Sequence, residues 1–76
     1  MEIVNLTGVE VFKTNVSNGR QATAIVNLLK KHFPGCRINF DLMDCDKILR
    51  VEGKIFSPDK IIELVKGKGF ECEILE

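Results

Sequence analysis

One stretch of the chain constrains the fold more than any other: the amphipathic segment between Asn18 and Pro34-Gly35. Asn18 is a favoured N-cap, and Gln21 can complete a capping box by accepting from the Asn18 backbone N–H. Pro34 cannot continue a helix, and Gly35 suits the turn that follows. The apolar residues between these signals recur at helical spacing, which predicts a buried stripe of Ala22, Ile25, Val26, Leu29 and Phe33.

A second helix and four strands are predicted around this segment. Ser57 is a favoured N-cap, Pro58 a favoured first helical residue, and Asp59 complements the helix dipole. Gly69 suits the residue after the helix end. Two-residue alternation of apolar and polar side chains predicts strands over residues 9–14, 36–42, 47–52 and 70–74.

The resulting order, β-α-β-β-α-β, predicts an α+β fold: a ferredoxin-like sandwich with two helices on one face of a four-stranded antiparallel sheet. Right-handed crossovers place the first and third strands in the centre. The 76 residues are expected to form one domain, residues 1–76. Residues 3–6 are expected to be a tail or an extension of the first strand.

Composition excludes several classes of function. Eleven basic and eleven acidic residues cancel and Trp and Tyr are absent, so nucleic acid is not an expected partner. No apolar run of about 18 residues or secretory signal is present, so we expect no membrane insertion. Three cysteines at unrelated spacings predict a reducing, cytoplasmic location without a disulfide framework. No nucleophile, base and orienting group occur at motif spacing, so an enzyme is not expected.

Several short matches, in order, resemble one known family. They are Pro34-Gly35-Cys36, residues 38–42, Val51-Glu52-Gly53 and residues 67–70. From Val9 to Leu75 the chain resembles the heavy-metal-associated domain, found in small copper chaperones and in the N-terminal modules of metal-transporting ATPases. The resemblance implies the same ferredoxin-like fold.

The family's metal motif, Met-x-Cys-x-x-Cys, aligns with residues 16–21. Val16 stands at the methionine position, and Asn18 and Gln21 stand at both cysteine positions. Two thiolates select Cu(I) or Zn(II), whereas neutral amides do not. The resemblance therefore implies that the conventional metal site is lost, and no cofactor is expected.

The three cysteines have different predicted roles. Cys45 lies in the predicted hairpin turn between Asp44 and Asp46, at the same end of the fold as residues 16–21 but about 10 Å to the side. It is interpreted as an exposed turn thiol. The alternatives are a ligand of an unconventional Cu(I) or Zn(II) site and the thiol of a dimer disulfide. Cys36 and Cys72 are expected in the core. His32 is interpreted as a helix-terminal cation.

The uncovered face of the predicted sheet is a candidate interaction surface. Val9, Val11 and Ile48 are expected to form its apolar centre, with a polar rim of Arg37, Asn39, Asp41, Glu71 and Glu73. An apolar centre with a charged rim is typical of protein interfaces. The alternatives are scattered surface valines, or a patch covered by residues 3–6.

Three hypotheses follow for the function. The first is a non-enzymatic domain related to metallochaperones that has lost its metal ligands and acts by association with a protein partner or with itself. The second is a soft-metal carrier that uses unconventional ligands such as Cys45. The third is a small-molecule regulatory domain of the ACT type, with its ligand near residues 15–20.

Overall fold

The computed structural model describes residues 8–53 and 56–75. Its elements are β1 (Gly8–Thr14), α1 (Gly19–His32), β2 (Arg37–Asp41), β3 (Ile48–Gly53), α2 (Pro58–Gly67) and β4 (Cys72–Ile74). The predicted order of helices and strands is confirmed. The prediction for residues 3–6 lies outside the described residues.

The sheet is antiparallel throughout, with the strand order β2-β3-β1-β4. The chain is therefore an α+β protein with a four-stranded antiparallel sheet and two helices. The first and third strands are central, as predicted from right-handed crossovers. Neither helix in the described part of the chain is long and apolar enough to cross a membrane.

One face of the sheet, here called the covered face, packs into the core. Phe12 lies opposite Leu49, and both are fully buried. Val51 lies opposite Ile38 on the same face. Both helices contribute to the same apolar cluster, which contains Phe12, Val16, Ala22, Ile25, Leu29, Ile38, Leu49, Val51, Ile61, Val65 and Cys72. Ala22, Ile25 and Leu29 of the predicted α1 stripe are buried in this cluster, whereas Val26 and Phe33 are half-buried against it.

The helix ends follow the sequence signals. Ser57 accepts from the Lys60 N–H at 3.3 Å, with Pro58 at the first helical position. Gly69, beyond the end of α2, has a φ of +95°, a backbone conformation that glycine adopts without steric cost. At the end of α1 the Phe33 N–H donates to the Leu29 carbonyl at 2.7 Å.

The last strand is shorter than predicted because two backbone donors are used elsewhere. The Phe70 N–H donates to the Val65 carbonyl at 3.4 Å, which extends the hydrogen bonding at the end of α2. The Glu71 N–H donates to the Asn15 side chain at 2.8 Å. Pairing with β1 therefore begins only at Cys72.

Candidate functional site

Residues 16–21, where the family motif was aligned, form a closely bonded loop at the start of α1. Val16 is fully buried in the core. The Gln21 N–H donates to Asn18 Oδ1 at 2.9 Å, which confirms Asn18 as the N-cap. The predicted return bond is wrong in its partner: Gln21 Oε1 accepts from Ser17, from its N–H at 3.0 Å and its Oγ at 3.1 Å.

Both amide side chains at the aligned cysteine positions therefore hold the helix start. Asn18 Oδ1 accepts from the Gln21 N–H, a donor that the first turn of a helix leaves free. Gln21 Oε1 accepts from Ser17, just before the helix. If either side-chain oxygen bound a metal ion, it would have to give up the hydrogen bond that it accepts. The arrangement is that of a structural cap.

Thr14 and Asn15 join this loop to two other loops at the same end of the molecule. The Thr14 hydroxyl donates to the Lys47 carbonyl at 2.7 Å and accepts from the Val16 N–H at 3.2 Å. Asn15 accepts from the Glu71 N–H, 56 residues away in the chain. Sequence reasoning missed both roles because nothing local to either residue indicates such distant partners.

Cys45 lies exposed in the loop between β2 and β3, as predicted. The ligand atoms of Asp44, Cys45 and Asp46 all lie within 4.8 Å of one another. One thiolate and two carboxylates are acceptable Zn(II) ligands, whereas Cu(I) prefers sulfur.

Internal hydrogen bonds hold the same loop. The Asp46 N–H donates to Asp44 Oδ1 at 2.8 Å, so this carboxylate already has a partner. Lys47, with a φ of +48°, places its Nζ 3.1 Å from the Leu42 carbonyl oxygen. The loop is also held to β1, where the Thr14 N–H donates to the Asp46 carbonyl at 3.1 Å.

The other two cysteines lie where thiolates are disfavoured. Burial raises the pKa of the Cys72 thiol to about 11, Lys66 partly opposes this shift, and Glu73 adds to it. Burial also raises the pKa of the Cys36 thiol. Cys72 is buried in the core cluster, and Cys36 is half-buried and packs against it. Protonated thiols are poor metal ligands, so neither of them complements Cys45 at neutral pH.

His32 is exposed in the last turn of α1, beside Lys30 and Lys31. Basic residues at this end complement the helix dipole, as the sequence interpretation expected.

The second face of the sheet, here called the open face, carries the predicted interaction residues. Strand register places Val9, Val11 and Ile48 there, because Phe12 and Leu49 face the core. Val9 is 47% exposed, whereas Val11 and Ile48 are half-buried.

The apolar centre is more interrupted than expected. Val9 lies opposite Glu52, Val11 opposite Arg50, and Ile48 opposite Lys13. Each apolar side chain therefore has a charged cross-strand neighbour. The predicted rim residues of β2 occupy the same face beyond β3, where Arg37 lies opposite Glu52, Asn39 opposite Arg50, and Asp41 opposite Ile48.

Leu75 extends the apolar part of the open face and was missed by sequence reasoning. Its N–H donates to the Val11 carbonyl at 2.9 Å, which continues the β1–β4 register and places Leu75 beside Val11. Leu75 is 38% exposed. The two-residue alternation along the last strand could have predicted this position. It places Cys72 and Ile74 on the covered face, and therefore Glu73 and Leu75 on the open face.

Comparison with models of known protein families gives no match, and no curated protein matches the chain at a significant level. The resemblance to heavy-metal-associated domains therefore rests on the short motifs quoted from the sequence.

Proposed function

We propose that this protein is a non-enzymatic binding domain of ferredoxin-like fold, related to heavy-metal-associated domains, that acts by protein association in place of metal transfer. The strand order β2-β3-β1-β4 and the shared core of both helices support the fold assignment. The surface used for association is the open face.

The observation that carries the proposal is that Asn18 caps α1 and that the Gln21 side chain holds the preceding Ser17. Both oxygens accept hydrogen bonds within residues 17–21. Substituting cysteines by capping residues removes soft ligands and stabilises the helix start at the same time. A scaffold with this substitution keeps its shape without binding the metal.

The open face supports association in a second way. Its paired strands carry an apolar part, Val9, Val11, Ile48 and Leu75, together with three basic residues, Lys13, Arg37 and Arg50, and three acidic ones, Asp41, Glu52 and Glu73. Because the six charges sum to zero, a second copy of the face is not repelled by net charge. Self-association is therefore the first form to test.

Sedimentation velocity over a hundredfold concentration range tests the open face. Val11→Lys is expected to weaken association at least tenfold, about 1.4 kcal/mol or more, because it places a charge at the apolar centre. Met43→Lys is the matched control, since Met43 is 96% exposed and lies in the hairpin loop. Equal behaviour of both variants, or a parent chain that stays monomeric throughout, would exclude self-association through this face.

The loss of the metal site is tested by restoring it. The double change Asn18→Cys and Gln21→Cys places two thiols at the first turn of α1, where helix N–H dipoles lower thiol pKa. We expect a Cu(I) site that the parent lacks, measured by competition with a chromophoric chelator. Both proteins also carry Cys45→Ser, so that this thiol does not contribute. Tight binding by the parent would contradict the proposed loss, and a folded variant that binds nothing would contradict the alignment.

A second candidate function is favoured by one observation, the clustering of Asp44, Cys45 and Asp46. These residues would supply three of the four ligands of a Zn(II) site, and a partner or water the fourth. Isothermal titration with Zn(II) of the parent and of Cys45→Ser distinguishes this function. Identical heats from both proteins would exclude it.

A further inference from the structure

A groove lies on the helix side of the molecule, between α1 and the connection from α2 to β4. Its volume is about 490 Å³. Half-buried Leu28 and Phe70 form an apolar lining, and the small side chain of Ala24 leaves the middle of the groove open. The volume lies within the range of known binding sites, roughly 300–1,000 Å³.

The groove is positively charged, although the chain as a whole is neutral. Arg20, Lys31 and Lys68 line it, and none of the described residues in its lining carries a carboxylate. None of these three cations forms an ion pair with a described residue. Among the described residues, the ion pair is the one between Lys60 and Glu63 of α2. The first turn of α1 lacks an acidic side chain, so its N–H dipoles add to the positive potential near Arg20.

The spacing of these groups indicates the shape of the ligand. Arg20, Ala24 and Leu28 follow one stripe of α1 at four-residue intervals, and Lys31 continues it three residues later. Lys31 lies eleven positions after Arg20 in the helix, which corresponds to about 16 Å along the axis. An extended peptide covers that distance with about five residues, at roughly 3.3 Å each.

We propose that this groove binds a short acidic peptide segment, with acidic residues at both ends and one or two apolar residues between them. The cations at the two ends of the stripe would pair with the acidic groups, and Leu28 and Phe70 would contact the apolar side chains. Among the described residues, only α1 and the connection near residues 68–70 line the groove. A small molecule there would therefore bury less of its surface than the 70–90% typical of small-molecule sites. The proposal concerns a different surface from the open face and goes beyond the association proposed there.

The test is an NMR titration of the ¹⁵N-labelled chain with a synthetic hexapeptide that has two acidic residues at each end and Leu-Phe in the middle. Shift changes are expected at Ala24, Leu28 and Phe70, and binding is expected to weaken as salt is added. Two control peptides replace the acidic residues by amides, or Leu-Phe by Ser-Gly. Both are expected to bind at least about tenfold more weakly.

Charge reversal in the groove gives a matched comparison. Lys31→Glu and Lys68→Glu are each expected to lower affinity for the acidic hexapeptide at least about tenfold. Lys30→Glu makes the same charge change at the neighbouring exposed position of α1, outside the groove, and is expected to change affinity less than about twofold.

Three outcomes would overturn the proposal. The first is no shift change in the groove residues at millimolar peptide. The second is an equal loss of affinity in Lys30→Glu, which would indicate unspecific charge attraction. The third is binding of decanoate in the groove by a chain that does not bind the hexapeptide, which would assign the groove to small amphipathic carboxylates.

Discussion

The two faces of the sheet are formed by the same strands and differ in how deeply their apolar side chains are buried. On the covered face Phe12 is opposite Leu49, and Ile38 is opposite Val51. On the open face Val11 is opposite Arg50. The helices bury the apolar side chains of the covered face in a continuous core, although Val51 also lies opposite Glu10 there. The apolar side chains of the open face lie among charged ones, which leaves a surface that is stable in water and still able to associate.

The strongest test of this difference removes one apolar side chain from each face at adjacent positions. Leu49→Ala is expected to lower the free energy of unfolding by about 2–5 kcal/mol, because Leu49 is fully buried and leaves a cavity. Ile48→Ala is expected to cost about 1 kcal/mol or less, since Ile48 is half-buried on the open face. Urea denaturation measures both. Similar losses would show that the open face is packed as tightly as the core.

A second test uses two glycines that are direct cross-strand partners, Gly53 and Gly8. A Cβ at position 53 would lie 2.9 Å from Cys36 Sγ and 3.0 Å from Cys36 Cα, so Cys36 would have to move. Gly53→Ala is expected to cost about 1–3 kcal/mol in urea melts. No described atom lies within 4 Å of a Cβ at position 8, so Gly8→Ala is expected to stay within about 0.5 kcal/mol of the parent. Equal effects would contradict the close approach.

The buried thiol of β4 predicts that the stability of the protein depends on pH. The pKa of Cys72 rises from 9.0 to about 11 on folding, so the folded state favours the protonated thiol. The contribution of the protonated Cys72 thiol to the free energy of unfolding is fully present below pH 9 and is lost as the pH rises toward about 11. The loss reaches about 2 kcal/mol near pH 10.5.

Denaturation of the parent and of Cys72→Ala between about pH 8 and pH 10.5 measures this dependence. The variant should lose less stability with rising pH than the parent. It should keep part of the dependence, because the Cys36 pKa is also raised. Cys45→Ala removes an exposed thiol and is the control for thiol removal as such. A slope unchanged by Cys72→Ala would contradict the role of the buried thiol.

The smallest expected effect concerns the helix that covers the sheet. Asn18→Ala removes the side-chain acceptor of the Gln21 N–H and should cost about 1 kcal/mol. Asn27→Ala makes the same change at an exposed position within α1, where alanine is the better helix former, and should stabilise by a few tenths of a kcal/mol. Thermal and urea melts of the two variants should therefore move in opposite directions. Unchanged stability in Asn18→Ala would exclude the capping role.

The fold was predictable where the spacing of apolar residues agrees with the residues that start and stop helices. The apolar stripe between Asn18 and Pro34 placed α1, and Ser57-Pro58 placed the start of α2. Two-residue alternation assigned Phe12 to the covered face and Val11 to the open one. These features depend on local spacing, which the sequence displays directly.

Features that depend on the exact path of the backbone or on distant contacts were not predictable. The return bond of Gln21 to Ser17 depends on the exact path of the chain entering α1. The late start of β4 depends on Asn15, which takes the Glu71 N–H. The groove combines one stripe of α1 with Lys68 and Phe70 from another part of the chain, and periodicity in α1 alone does not reveal the pairing.

The placement of β2 and β4 at the edges of the sheet has a consequence for ordered polymerisation. An edge strand with free N–H and C=O groups can template a further strand, and repeated addition produces fibres. β2 carries Arg37 and Asp41 at its two ends, and β4 has only three residues with Glu73 at its centre. Short edge strands that carry charged residues disfavour the addition of another strand. Neither β2 nor β4 therefore favours a continuous sheet that extends from one copy of the protein to the next.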